Sequence, residues 1–238
     1  LTVSQSGNVG VQITDPTGAI TLNGAHLSEN STTGIAVTGR SGAVTLMDIQ
    51  VDNTQLGEAG LGEGFHLFET DVTVMNASSV ANAGAGLLVE FSRLNGQELQ
   101  LNDNLGPGAV LVSTDLNTVL SSVTARNNHG SGLLVLQGAA DINEFDVTGT
   151  ATDIASGPGD GINVDFGGTL TLSDGSTRGH DRHGVSVASG CSAQLTGISG
   201  QNNGGYGLFY NCTGSDLSLL DDNLFDDTNA LGPQTVCP

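Results

Sequence analysis

The sequence predicts an all-β solenoid, a parallel β-helix of about nine to ten coils with three short strands in each, and three observations predict it. A phrase recurs: "NNHGSGLLV" at Asn127 to Val135 returns as "NNGGYGLFY" at Asn202 to Tyr210. Inside the phrase apolar residues alternate with period two, which is the pattern of a strand with one face buried. Helix signals are missing throughout, while 36 glycines and frequent Asn, Asp, Ser and Thr supply turns.

The elements follow from the repeat. Gly followed by apolar, any, apolar recurs at a near-regular interval, at Gly10, Gly34, Gly64, Gly86, Gly108, Gly132, Gly161, Gly184 and Gly207, with spacings of 24, 30, 22, 22, 24, 29, 23 and 23 residues. A period near 23 that runs through nearly the whole chain is the signature of stacked coils, each burying its apolar side against the next. The residue after each Gly and the one two further on are apolar at all eighteen positions, from Val11 and Ile13 to Leu208 and Tyr210. These positions point inward and stack from coil to coil. Second and third strands follow in most coils, as "AVTL" and "DIQV" in one and "INEF" in another. Asn stands four residues before the Gly at Asn30, Asn82, Asn104, Asn128 and Asn203. Such a column predicts a ladder of side-chain hydrogen bonds along one corner, with the Asn residues themselves in left-handed backbone.

These tandem units with their Asn column resemble the right-handed parallel β-helix repeat proteins of the pectin-lyase-like superfamily, over roughly Val3 to Leu220. The resemblance implies a right-handed coil. It implies no single activity, since the superfamily includes polysaccharide lyases, hydrolases, epimerases, phage tailspikes, adhesins and surface proteins without known chemistry.

Composition narrows the partners. Twenty-five Asp and Glu against five arginines and no lysine give a formal charge of −20, which argues against nucleic acid and anionic membrane surfaces. The apolar runs are a few residues long, far short of the ~20 that span a bilayer as a helix, so no membrane insertion is expected. One elongated domain over residues 1–238 suffices, with 221–238 as a C-terminal cap or tail. Because the chain opens at Leu1 without Met or a charged leader, it reads as a piece of something longer. "LTVSQ" already looks like a strand, so an upstream segment, a partner or end-to-end stacking is expected to cover the first coil.

Outward residues of the first strand, two and four after each Gly, lie on the face where carbohydrate-active members of the resembled superfamily carry their sites. In the third to sixth coils they are His66 and Phe68, Leu88 and Glu90, Val110 and Val112, Leu134 and Leu136. Left open, such a row forms an apolar patch of roughly several hundred Å². Three readings apply: a cover from the same chain, an interface with another copy, chain or domain, or a ligand surface such as a glycan. The two longest repeats carry extra residues at one corner, "GEAGLGE" from Gly57 to Glu63 and "ASGPGD" from Ala155 to Asp160, placed to wall in this floor.

A reaction centre is harder to assemble. Glu90 and Asp165 occupy equivalent outward positions three coils apart, roughly 14 Å, too far for paired glycosidase carboxyls. The cluster "STRGHDRHG", Ser176 to Gly184, is the strongest candidate. It places His183 one coil from Asp160, about 5 Å away by strand spacing, with Asp165, Arg178 and Arg182 expected nearby. "HDR" at His180, Asp181 and Arg182 resembles part of the motif of alginate C5-epimerases. Local neutralisation of an acidic corner explains the same residues without chemistry.

Cys191 and Cys212 lie 21 residues apart, nearly one coil, so they can pair across adjacent coils, or Cys237 can pair with Cys212 and pin the tail. No cofactor motif is present. Calcium is the ion that "DDNLFDDTN" would suit, through Asp221, Asp222, Asp226 and Asp227, although the spacing matches no EF-hand loop. The sequence therefore points to a non-enzymatic extracellular or cell-envelope module, adhesin-like or a scaffold. The alternative is a lyase or C5-epimerase acting on acidic polysaccharide through Asp160, Asp165, Arg182 and His183.

Overall fold

The computed structural model describes residues 1–57, 62–114, 118–153 and 157–235. Among them every regular element is a strand, and no helix is long and apolar enough to cross a membrane. Ten strands form one sheet: β2 (Val11–Thr14), β4 (Thr33–Thr38), β6 (Glu63–Phe68), β8 (Leu87–Glu90), β10 (Ala109–Val112), β12 (Leu133–Leu136), β14 (Ile162–Asp165), β16 (Val185–Val187), β18 (Tyr206–Tyr210) and β21 (Gly232–Gln234). The other sheet holds β1 (Thr2–Ser4), β3 (Ile20–Ser28), β5 (Val44–Asp52), β7 (Asp71–Val80), β9 (Arg93–Asn102), β11 (Val119–Arg126), β13 (Ala139–Thr148), β15 (Thr169–Arg178), β17 (Ser192–Gln201), β19 (Asp216–Leu219) and β20 (Leu224–Phe225). All neighbours along both sheets pair in parallel, so the chain winds as a parallel β-helix of about nine turns.

The register confirms the inward columns. Val11, Ile35, Phe65, Leu87, Ala109, Leu133, Ile162, Val185 and Leu208 are aligned strand to strand, and all but Val11 are buried. Each anchor Gly precedes this column because the next coil's backbone occupies the space of a side chain. A Cβ on Gly108 would lie 2.5 Å from the Gly132 carbonyl oxygen, a distance no real Cβ tolerates.

The second and third expected strands are two arms of one strand bent at a residue with positive φ. In β5 the bend is Asp48 (φ 53°), and the same corner falls at Asn76, Glu98, Ser122, Glu144 and Asp174. A left-handed residue shifts the alternation by one, so Val44 and Leu46 point inward before it and Ile49 and Val51 after it. Two further corners work the same way, as at Asn53 and Glu69, and the coil closes through three such turns.

The ladder forms, and it is longer than the five expected rungs. Asn30, Asn82, Asn104, Asn128 and Asn203 are buried. The Asn104 side-chain oxygen accepts the Asn82 backbone N–H at 3.1 Å and its side-chain amide at 3.0 Å, and the Asn128 oxygen does the same for Asn104 at 3.0 Å each. Thr150, His180 and Asn229 extend the column with side chains, while Thr54 joins only through its backbone N–H, donated to Asn82 Oδ1 at 3.0 Å; His180 N–H donates to Asn203 Oδ1 at 3.2 Å, and Asn203 N–H to Asn229 Oδ1 at 3.1 Å. One expectation is corrected. The left-handed residue is the one before each rung, Glu29, Ala81, Asp103, Asn127 and Asn202, because the bend must precede the side chain that staples it.

At the C-terminal end, residues 221–235 continue the coil instead of folding back over a face. Leu224–Phe225 pairs with β17 and Gly232–Gln234 with β18. At the other end Val3, Val11, Ile13 and Leu22 are only partly buried, since no coil precedes them in the described chain.

Candidate functional site

The outer face of the ten-stranded sheet carries the expected apolar row. His66, Leu88, Val110 and Leu134 are aligned on β6, β8, β10 and β12, and Phe68, Glu90, Val112 and Leu136 form the adjacent column. All eight are half-buried, because outward residues on strands about 4.8 Å apart shield one another's flanks while their tips face solvent. His66 Nε2 meets Glu90 Oε2 at 2.9 Å, and Phe68 packs edge-on against Phe91 at 5.9 Å between centroids. The row passes into polar Asn163 and Ser186 and ends at Phe209. The loops expected to wall it in lie partly outside the described residues, at 58–61 and 154–156.

The corner cluster assembles as its spacing required, yet its groups face one another. Asp160 has no exposed surface; its Oδ1 accepts the His183 backbone N–H at 3.1 Å and lies 3.6 Å from Arg182 Nε. Its Oδ2 has no hydrogen-bond partner. Burial pushes the Asp160 carboxyl above its ordinary range, against the opposing charge of Arg182 and the His183 N–H. The His183 ring is stacked on Phe209 at 4.7 Å and on Tyr206 at 5.7 Å. Its Nδ1 accepts the Tyr206 backbone N–H at 2.9 Å, which leaves the proton of the neutral ring on Nε2. Burial and the Arg182 charge lower its pKa to about 4.

The remaining members do not join it. Asp165 lies five residues along from Asp160, roughly 16 Å by strand rise, where its Oδ1 accepts the Phe166 backbone N–H at 2.7 Å. Arg178 sits on the other sheet, 3.4 Å from Asp146. Arg126 at 2.8 Å and Ser176 at 2.8 Å meet the same carboxylate. Burial pulls the Asp146 carboxyl upward, but the Ser176 and Arg126 hydrogen bonds and both guanidinium charges hold it below its ordinary range. The "HDR" residues separate as well: His180 is a ladder rung, Asp181 Oδ2 accepts the Thr152 N–H at 2.8 Å, and Arg182 faces Asp160.

Cys191 is a free, buried thiol, which overturns its pairing with Cys212. Cys212 is disulfide-bonded, and the third cysteine, at 237, lies outside the described residues. Among the described residues no three His, Cys, Asp or Glu side chains converge on a metal position. Asp221, Asp222, Asp226 and Asp227 thus form no shared cage; Asp226 Oδ1 instead accepts the backbone N–H of Thr228 at 3.0 Å.

Sequence reasoning missed the aromatic trio His183, Tyr206 and Phe209, because Phe209 is outward at the far end of the row and Tyr206, the first residue of β18, stands before its anchor Gly, outside the alternating positions. The signal was present in register, since Tyr206 follows His183 by one 23-residue coil.

No family model and no curated protein matches the chain. Solved structures similar to it include the periplasmic alginate epimerase AlgG, with TM-score 0.43 and 13% identity over 97% of this chain and 76% of that one. The A-module of the Azotobacter vinelandii mannuronan C-5 epimerase AlgE4 has TM-score 0.42 and 13% identity over 100% and 88%. Pectate lyase Pel9A has TM-score 0.36 and 11% identity over 99% and 70%. These are likenesses of winding. They assign no residue of this chain a role.

Proposed function

We propose that the chain is a non-catalytic β-helix module of the extracellular space or cell envelope, binding another protein chain or domain through the outer face around Phe68, Leu88, Val110 and Leu134. What supports the reading is the state of the acid–base groups. A general base must reach a substrate proton, and Asp160 has no accessible surface while His183 Nδ1 is occupied by a backbone N–H. The apolar row, by contrast, keeps its tips in solvent across four coils.

Incubation with pectate, alginate and hyaluronan, with and without calcium, is expected to produce neither the absorbance of unsaturated sugars nor epimerised product by NMR. Turnover that His183→Ala abolishes would establish the polysaccharide enzyme instead. Leu134→Asp is expected to alter self-association in sedimentation or binding to a glycan or protein array while the chain keeps its β circular-dichroism spectrum, since the side chain is only half-buried and lies outside the core. If it changes no association of any kind, the face has no binding role.

A further inference from the structure

Two of the five arginines of this strongly acidic chain line one cleft that no part of the reading above uses. It measures about 190 Å³ and lies at the corner that follows the ten-stranded sheet, between Arg40, Asp71, Phe91, Ser92, Arg93 and Ser113. Arg40 reaches across an intervening coil to hydrogen-bond the Phe91 backbone carbonyl through Nη2. Arg93 Nη2 meets Asp71 Oδ2 at 2.7 Å. A guanidinium carries five N–H donors, so each arginine keeps donors to spare after these contacts. The titratable groups lining the cleft sum to one positive charge, in a chain of formal charge −20.

Phe91 supplies the second observation. Its φ is 50°, a conformation that is costly for a bulky side chain, and 46% of the residue is exposed. The same corner carries Gly39, Glu69, Ser113 and Gln137 in the nearest coils and a second exposed phenylalanine, Phe166 (φ 53°), three coils on, so it is the two arginines lining the cleft with it that set Phe91 apart. An edge contact with Phe68 is the ring contact it makes in return. A strained, exposed aromatic beside two guanidiniums suits a ligand with a flat apolar part and an oxyanion.

We propose that this cleft binds a small carboxylate attached to a flat apolar body, the carboxylate between Arg40 and Arg93 and the body against the Phe91 ring. Planar guanidinium donors match a carboxylate's two oxygens, and Arg93 already donates to a carboxylate oxygen of this chain, Asp71 Oδ2, through a single contact. The volume restricts the ligand to small molecules, below the ~300 Å³ at which drug-sized pockets begin. A second cleft of about 190 Å³ adjoins across the Asp71–Arg93 pair, with Thr45, Thr73 and Asn95 on its wall, so a polar extension of the ligand has hydroxyl and amide partners.

The test is an NMR titration of the intact chain with benzoate, using benzamide and inorganic sulfate as controls. Benzoate is expected to saturate and to shift the Arg40 and Arg93 Nε–H and Phe91 ring signals. Benzamide, lacking the charge, and sulfate, lacking the apolar body, are expected to bind about tenfold more weakly or not at all, one charge-assisted contact being worth about that factor. Arg40→Gln, Arg93→Gln and Phe91→Ser should each weaken benzoate about tenfold; serine is tolerated at the same corner one coil on, at Ser113. Absence of benzoate shifts at these residues, sulfate binding as tightly as benzoate, or folded variants that bind like the parent would each overturn the proposal. The benzamide and sulfate comparisons on the parent chain decide the matter even if a variant fails to fold.

Discussion

Asn104→Ala is expected to lower unfolding free energy by about 3 kcal/mol, read as a fall in the urea midpoint at unchanged slope. The side chain removed is a hub: Oδ1 takes two donors from Asn82, and Nδ2 serves the Ser79 carbonyl at 3.2 Å and Asn128 Oδ1 at 3.0 Å. Alanine leaves the Asn82 backbone N–H buried without its acceptor, and each buried polar group so stranded costs about 1–3 kcal/mol. The left-handed turn at Asp103 also loses the staple that follows it. Thr54 is the control, since its Oγ1 has no partner and its rung is joined through the backbone, so Thr54→Ala should cost less than half as much. Equal losses at the two positions would show that burial, and not the hydrogen-bonded column, holds this corner.

A second large effect is acid sensitivity, to which the ladder residue His180 contributes. Burial lowers its pKa to about 4, the Val147 backbone hydrogen bond and the Asp181 charge opposing, from an ordinary value near 6.5. Between pH 6.5 and about 4 the unfolded chain therefore binds a proton that the folded chain refuses, so stability present above pH 6.5 is lost as pH falls to about 4. A shift of that size corresponds to about 3 kcal/mol. His183 acts in the same direction over the same window, its pKa lowered to about 4 by burial and the Arg182 charge. Asp160 acts the other way, since its raised pKa makes the folded state the readier proton acceptor as pH drops. His180→Asn restores the residue that Asn128 and Asn203 place in the same column. It is expected to keep the stability at pH 7 and to remove about 3 kcal/mol of the loss between pH 7 and pH 4, by urea unfolding at both values. An unchanged pH slope in this variant would mean that His180 is not the buried neutral group described.

The coil was legible because its rules act locally and repeat. Gly108 must be glycine since a Cβ meets the backbone of the next coil, and Ile35 or Leu133 must be apolar since the column has no water. The outer row was legible for the same reason, period two and parallel register placing His66 beside Leu88 and Phe68 beside Glu90. The ladder was half legible: Asn is recognisable at its spacing, but Thr150 and His180 fill rungs with other chemistry, Thr54 joins only through its backbone, and only the bend before each of them marks the place.

What periodicity could establish was position: the period, the inward columns, the outward face and the adjacency of Asp160 and His183 all follow from a backbone that returns every two dozen residues or so. What polar groups do there was settled by the folded chain alone. Whether Asp160 faces solvent, whether His183 keeps a free nitrogen, whether Cys191 meets a second thiol and whether Arg40 spans two coils all depend on side-chain direction and loop path. Neither is periodic, because polar atoms are satisfied by whichever neighbour comes within about 3 Å, and that neighbour is chosen by the packing of a whole corner and not by the residue's place in its repeat.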